Sequence, residues 1–223
     1  MENLRYIFLF LSFYLMSMSD TNAQKTLAYL ALGDSYTIGE SLPLEDNFPH
    51  QTVALLRKKG ISITAPEIVA KTGWTTDELM DAITKRSLKS SYDYVSLLIG
   101  VNNQYRGRDI VIYQKEFDQL LQQAIQFAGG NPEHVYVLSI PDWGATPFAE
   151  GRDRAKITSE IDQFNVANLK IAQQYKVHYI EITAGTREAK QDLSLVAEDK
   201  LHPSKKEYAR WADKLSRAIE QRQ

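Results

Sequence analysis

Three polar residues, set far apart in the chain, are of the types needed to activate a hydroxyl. Ser35 stands in Ala31-Leu32-Gly33-Asp34-Ser35-Tyr36-Thr37, at the end of the apolar run Leu27–Leu32. Asp199 and His202 stand in Asp199-Lys200-Leu201-His202-Pro203, just ahead of the last amphipathic stretch. A serine hydroxyl is a poor nucleophile until a base takes its proton. An imidazole can be that base, and a carboxylate on its other ring nitrogen fixes the tautomer and stabilises the imidazolium. Three-residue spacing lets one loop carry both partners, and Pro203 disfavours a helical backbone at His202. The set suits acyl transfer, which also needs donors for a tetrahedral oxyanion. Candidates are the N–H of Ser35, the N–H of Gly73 in Lys71-Thr72-Gly73-Trp74, and the side-chain amide of Asn102 in Gly100-Val101-Asn102-Asn103.

Each residue also has a plainer use. Gly-Asp-Ser is ordinary turn chemistry, with Asp34 or Ser35 capping a helix. Gly73 could be a turn glycine, Asn102 and Asn103 could cap the segment after a strand, and His202 could be a surface residue before a helix. Taken singly, none decides the matter. The deciding question is whether the fold brings them to one edge.

The pattern after Gln24 alternates strand and helix. Apolar runs predict strands over Leu27–Leu32, Ile61–Ala70, Tyr92–Ile99, Val135–Ile140 and His178–Ile182. Pro66 interrupts the second and suggests an edge position. Helical periodicity predicts helices over Phe48–Lys59, Thr75–Ile83, Ile112–Phe127, Ile157–Tyr175 and Ser204–Arg222. Thr75 with Glu78, and Ser204 with Glu207, have capping-box spacing. Five strands separated by helices imply βαβ crossovers and a largely parallel sheet covered on both faces. In such a sheet the carboxyl ends of all strands lie on one side, where ligands bind. The Ser35, Gly73 and Asn102 segments each follow a strand, and the Asp199–His202 loop follows the last one. Pro141–Lys156 is the longest stretch without a clear pattern, and a long loop in a compact domain is often functional.

With 223 residues, 43% of them hydrophobic, the chain is long enough for one domain with a sizeable core. Its formal charge of −2 and dispersed basic residues give no reason to expect nucleic acid as a partner. The absence of cysteine excludes disulfides, thiol catalysis and thiolate metal sites. No histidine–carboxylate cluster has metal-ligand spacing, and neither G-x-G-x-x-G nor a P-loop motif follows the first strand.

The first residues differ in kind. Arg5 precedes the apolar run Tyr6–Met16, and polar Ser17–Asn22 lead to small Ala23. This is the layout of a secretory signal peptide over residues 1–23, with a working domain over 24–223. The expected location is secreted or periplasmic, with no stable membrane span after cleavage. The alternative is an uncleaved N-terminal anchor.

The order Gly-Asp-Ser, isolated Gly, Gly-x-Asn and Asp-x-x-His-Pro resembles that of the SGNH hydrolases, also called GDSL-type esterases and lipases. The four letters fall on Ser35, Gly73, Asn102 and His202, and the match spans Leu27 to Trp211. The resemblance implies a flavodoxin-like three-layer α/β/α fold with strand order 2-1-3-4-5. It implies Ser35 as nucleophile, His202 as base, Asp199 as orienter, and an oxyanion hole from Ser35, Gly73 and Asn102. No cofactor and no metal is expected. The substrate would be a small-molecule carboxylic ester, with acetylated sugars, thioesters and lysophospholipids as alternatives. The third block departs from the usual Gly-x-Asn-Asp, since Asn103 holds the Asp place. Trp74, Trp143 and Phe148 are candidates for an acyl site or a sugar platform. Tyr105, Arg106 and Arg108 could meet a polar substrate group or simply be a solvated loop. A non-catalytic binding module on the same fold is the reading from another class.

Overall fold

The computed structural model of the chain describes residues 25–222, so the predicted signal peptide lies outside the described residues. Strands β1 (Tyr29–Asp34), β2 (Glu67–Lys71), β3 (Tyr94–Leu98), β4 (Val135–Leu138) and β5 (His178–Ile180) form one sheet in the order 2-1-3-4-5. All four pairings are parallel. β1, β3 and β4 are wholly buried and read as near-continuous apolar runs, interrupted by Ser96 in β3 and by Gly33-Asp34 at the end of β1, because helices cover both faces.

The helices are α1 (Ser35–Ile38), α2 (Phe48–Lys58), α3 (Thr76–Thr84), α4 (Val101–Tyr105), α5 (Ile110–Phe127), α6 (Arg154–Tyr175), α7 (Thr183–Thr186) and α8 (Lys205–Glu220). α2 packs against α8, where Phe48 meets Trp211 with ring centroids 6.0 Å apart. α3, α5 and α6 form the other layer, where Tyr113 meets Phe164 at 4.5 Å. Among the described residues no helix is long and apolar enough to cross a membrane.

Several boundaries differ from the sequence expectation. β2 begins only after Pro66, at Glu67, and Ile63 makes a single bridge to Leu27. A proline has no N–H for the ladder, so pairing starts beyond it. β2 is an edge strand, as the proline suggested. β5 stops at Ile180, because the N–H groups of Ile182 and Thr183 donate to Ser139 Oγ instead of to a neighbouring strand. α5 and α6 start earlier than the apolar periodicity indicated, capped by the Asp109 and Asp153 carboxylates.

The expected capping box forms at Thr75: its side chain accepts the Glu78 N–H, and its own N–H donates to Glu78 Oε2 at 2.9 Å. The box expected at Ser204 does not form. Ser204 Oγ donates to Ser194 O (2.7 Å), and Glu207 turns inward to accept from Trp211 Nε1 (2.9 Å). The spacing was right, but Glu207 lies on the buried face of α8.

Candidate active site

Ser35, Gly73, Asn102 and His202 line one cavity of about 200 Å³ at the carboxyl edge of the sheet, with Tyr36, Thr72, Val101, Tyr105, Trp143, Phe148 and Leu201. The elements explain how they meet. β1 ends at Asp34, and Ser35 is the first residue of α1. Asp34 is the cap of that helix: its Oδ1 accepts the Tyr36 N–H at 3.0 Å. Burial pushes the Asp34 carboxyl up to about 7, against the pull of the Tyr36 N–H. Gly33 serves less as a flexible turn than as a gap. A Cβ there would lie 2.1 Å from Thr37 Oγ1 and 2.5 Å from Leu98 O, so α1 can start directly on the strand end only because residue 33 has no side chain.

Gly73 follows β2 with φ +84°, a conformation that side-chain-bearing residues rarely adopt. Its carbonyl accepts from Arg106 Nη2 at 2.6 Å, and Arg106 also contacts Glu78 at 3.4 Å. Arg108 pairs with Asp77 at 3.0 Å. Both arginines therefore hold the Gly73 turn and the start of α3, and neither lines the cavity. The Asn102 amide donates to Trp74 O at 2.9 Å and makes a longer contact, 3.4 Å, to Asp34 Oδ2. That network ties three strand ends together.

Asn103, in the place usually held by Asp, is fully buried. Its Oδ1 accepts the Thr76 N–H (3.2 Å), and its Nδ2 donates to Thr76 Oγ1 (2.7 Å). The Thr76 hydroxyl in turn donates to Glu116. Thr76 has one hydroxyl proton, and Glu116 takes it, so residue 103 must be a donor toward Thr76 as well as an acceptor. The amide does both, whereas an ionised Asp can only accept. Asn103→Asp is expected to lower stability by about 1–3 kcal/mol. Adding Glu116→Gln should recover part of that loss. Thermal melts of the single and double variants check this, and additive losses would contradict it.

His202 sits in a loop closed by an antiparallel bridge between Val196 and Pro203. The residue is 5% exposed, and its ring lies 4.8 Å from the Tyr36 ring, centroid to centroid. Nδ1 is 2.6 Å from Asp199 Oδ2. Asp199 Oδ1 accepts the N–H groups of Leu201 and His202, both at 2.9 Å, and Oδ2 also accepts from Ser41 Oγ at 2.7 Å. Burial works against the Asp199 charge, but these donors outweigh it and hold the carboxyl at about 2. Asp199 is thus anionic at neutral pH, with the ring's Nδ1 committed to it. That leaves Nε2 as the nitrogen able to take a proton. Among the described residues, no hydrogen bond joins Ser35 Oγ to the ring, and in unliganded sites such contacts are often loose until substrate arrives.

Of the aromatic residues singled out in the sequence, Trp143 and Phe148 line the cavity and Trp74 does not. Trp74 is partly buried against the core and contributes only its carbonyl to Asn102. Tyr105 takes the expected place of Trp74, 5.3 Å from Trp143 and 6.4 Å from Phe148. The Arg152 guanidinium lies 5.3 Å from each of these three ring centroids and braces the wall. The unpatterned stretch after β4 supplies two of these rings through short 3-10 turns over Trp143–Ala145 and Pro147–Ala149. The Phe148 N–H donates to Lys200 O (3.0 Å), which ties that wall to the Asp199–His202 loop. Ser41 and Arg152 carried no sequence signal, since neither belongs to a periodic run or a motif.

Solved structures share the fold. One titled as the crystal structure of TesA superposes with a TM-score of 0.68 at 17% identity, covering 87% of this chain and 98% of that one. A variant of Axe2, an acetyl-xylooligosaccharide esterase titled as from Geobacillus Stearmophilus, gives 0.67 at 19%, covering 86% and 94%. The lipase/acylhydrolase from Enterococcus faecalis gives 0.66 at 18%, covering 88% and 97%. No curated protein matches the sequence significantly. A family model described as the GDSL-like Lipase/Acylhydrolase family matches residues 31–210, a span that runs from β1 through the serine, glycine, asparagine and histidine segments into α8. The chain therefore belongs to the GDSL-like lipase/acylhydrolase family and is a serine ester hydrolase.

Proposed function

We propose that the protein hydrolyses carboxylic esters through a covalent acyl-enzyme at Ser35, with His202 as base and Asp199 as orienter. One observation supports this above all. The Asp199–His202 pair, 2.6 Å apart, presents its ring to the cavity that Ser35, Gly73 and Asn102 also line. His202 Nε2 takes the Ser35 proton as Oγ attacks the ester carbonyl. The oxyanion is met by the N–H groups of Ser35 and Gly73 and by the Asn102 amide, whose 3.4 Å contact to Asp34 is weak enough to yield. His202 returns its proton to the leaving alcohol. Water then enters, loses a proton to His202, attacks the acyl carbonyl, and Ser35 leaves with that proton.

The cavity favours a short acyl group. Its volume of about 200 Å³ is below the roughly 300–1,000 Å³ of sites for drug-sized ligands. With p-nitrophenyl esters, kcat/KM is expected to be highest from acetyl to butyryl and to fall by at least about tenfold at octanoyl, which corresponds to about 1.4 kcal/mol of lost fit. A profile that rises with chain length would contradict this and favour a lipase or lysophospholipase.

A second reading has its own observation. Tyr105 and Phe148 stand 46% and 38% exposed at the rim, beside an apolar cavity of about 200 Å³. Exposed rings suit the faces of a sugar, so an acetyl ester on a carbohydrate is the variant of the mechanism to compare. Acetylated oligosaccharides hydrolysed with a higher kcat/KM than p-nitrophenyl acetate would select it.

We also propose that the enzyme acts outside the cytoplasm, on the signal-peptide layout of residues 1–23. Protein recovered from the extracytoplasmic fraction should begin near Gln24. An intact N-terminus on fully cytoplasmic protein would contradict this.

A further inference from the structure

We infer that Ser41 is a positioning residue of this site: its hydroxyl holds the Asp199 carboxylate in the orientation that serves the His202 ring. The inference rests on the roles proposed above for Asp199 and His202 and adds a side chain from a different segment.

The hydrogen-bond geometry is the first support. Asp199 Oδ1 is fixed by two backbone donors of its own loop, Leu201 and His202. Oδ2 is the oxygen that meets Nδ1, and apart from the ring its partner is the Ser41 hydroxyl at 2.7 Å. Without Ser41 the working oxygen would be held only by the group it is meant to hold. Ser41 lies 158 positions from Asp199 and only a few residues after Ser35. The Ser35 carbonyl accepts the N–H groups of Gly39 and Glu40, both at 3.1 Å, so the segment from Ser35 to Ser41 is a closed turn. Glu40, next in line, accepts from Thr72 beside Gly73. Ser41 therefore ties the base loop to the segment that carries the nucleophile. That contact sets the spacing between them.

Backbone conformation is the second support. Ser41 has φ +68°, in the left-handed region that glycine and asparagine tolerate best. A serine kept there, when glycine would relieve the backbone, argues that the hydroxyl is needed.

The Ser41 donor also draws charge from Asp199 Oδ2, and it is one of the groups that hold that carboxyl low.

The test compares Ser41→Ala with Ser41→Gly, using p-nitrophenyl acetate kinetics alongside thermal melts. Both variants are expected to lose about tenfold to a hundredfold in kcat, the size of one hydrogen bond to a charged group. KM should change little, so the loss falls on kcat and not on binding. The melting temperature of Ser41→Gly should equal or exceed that of Ser41→Ala, because both lose the hydroxyl and glycine alone relieves the left-handed backbone. A loss of kcat shared by both variants, whatever their difference in stability, is what a structural role alone would not produce. Parent-like kcat in both variants would overturn the inference. So would a loss confined to Ser41→Ala, since that would make the backbone the cause. A parent that neither hydrolyses esters nor reacts with a fluorophosphonate at Ser35 would overturn the proposed function itself, which separates the two failures.

Discussion

Ser35→Ala is expected to lower kcat on a short-chain ester by about ten-thousand-fold to a million-fold while leaving the fold intact. Serine nucleophiles in hydrolases that use a histidine base show losses of this order when truncated. The substitution removes one oxygen at the cavity wall. It keeps the residue 35 N–H, the Asp34 cap on Tyr36 and the gap at Gly33, so α1 should form unchanged. The residual rate would come from substrate binding and the oxyanion donors, and it should not respond to a fluorophosphonate. Circular dichroism and thermal melting matched to the parent exclude unfolding as the cause. A variant that retained more than about a tenth of the parent kcat would leave the acyl-enzyme account without a nucleophile.

Asp199→Asn has the next largest expected effect, about ten-thousand-fold in kcat, through the tautomer and not through lost packing. The amide can still offer an oxygen to the Leu201 and His202 N–H groups, which are held at 2.9 Å in the parent. The side that then faces the ring carries N–H donors. Nδ1 must become an acceptor, its proton moves to Nε2, and the nitrogen that should take the Ser35 proton is blocked. Stability carries a second signature. The Asp199 carboxyl is held at about 2, below the unfolded value of about 3.9. Its stabilisation is therefore fully present above about pH 4 and is lost as pH falls toward 2. Acid unfolding of the parent should contain this increment, and that of the Asn variant should lack it. A variant with parent kcat and a parent acid transition would remove Asp199 from the mechanism.

Much of the architecture was legible because buried parallel strands read as near-continuous apolar runs, and because the candidate residues follow the strands directly. β1, β3 and β4 are of this kind. β2 was less so, since Pro66 and the exposure of an edge strand blur its start. Capping spacing misled at Ser204 because sequence spacing does not say which face of α8 is buried, and Glu207 faces Trp211. Trp74 looked like a pocket residue only through its neighbour Gly73, whereas its ring packs toward the core.

Other features lay beyond any pattern. Arg106 and Arg108 resembled substrate contacts, yet their partners are Gly73, Glu78 and Asp77. The choice of Asn at 103 follows from a hydroxyl on Thr76 and a carboxylate on Glu116, neither of them near it in sequence. Ser41 is one polar residue in a loop, and only tertiary structure brings it to Asp199. Long-range hydrogen bonds between loops have no period, so motif reading stops at the residues that touch substrate and misses those that hold them.

The most direct measurement is intact-protein and peptide mass spectrometry after reaction with a fluorophosphonate at neutral pH. A single covalent adduct is expected, on the peptide containing Ser35 and at Ser35 itself, slowed strongly in Asp199→Asn and absent in Ser35→Ala. An adduct on another residue, or a protein that hydrolyses esters at full rate after exhaustive treatment without any adduct, would contradict the account.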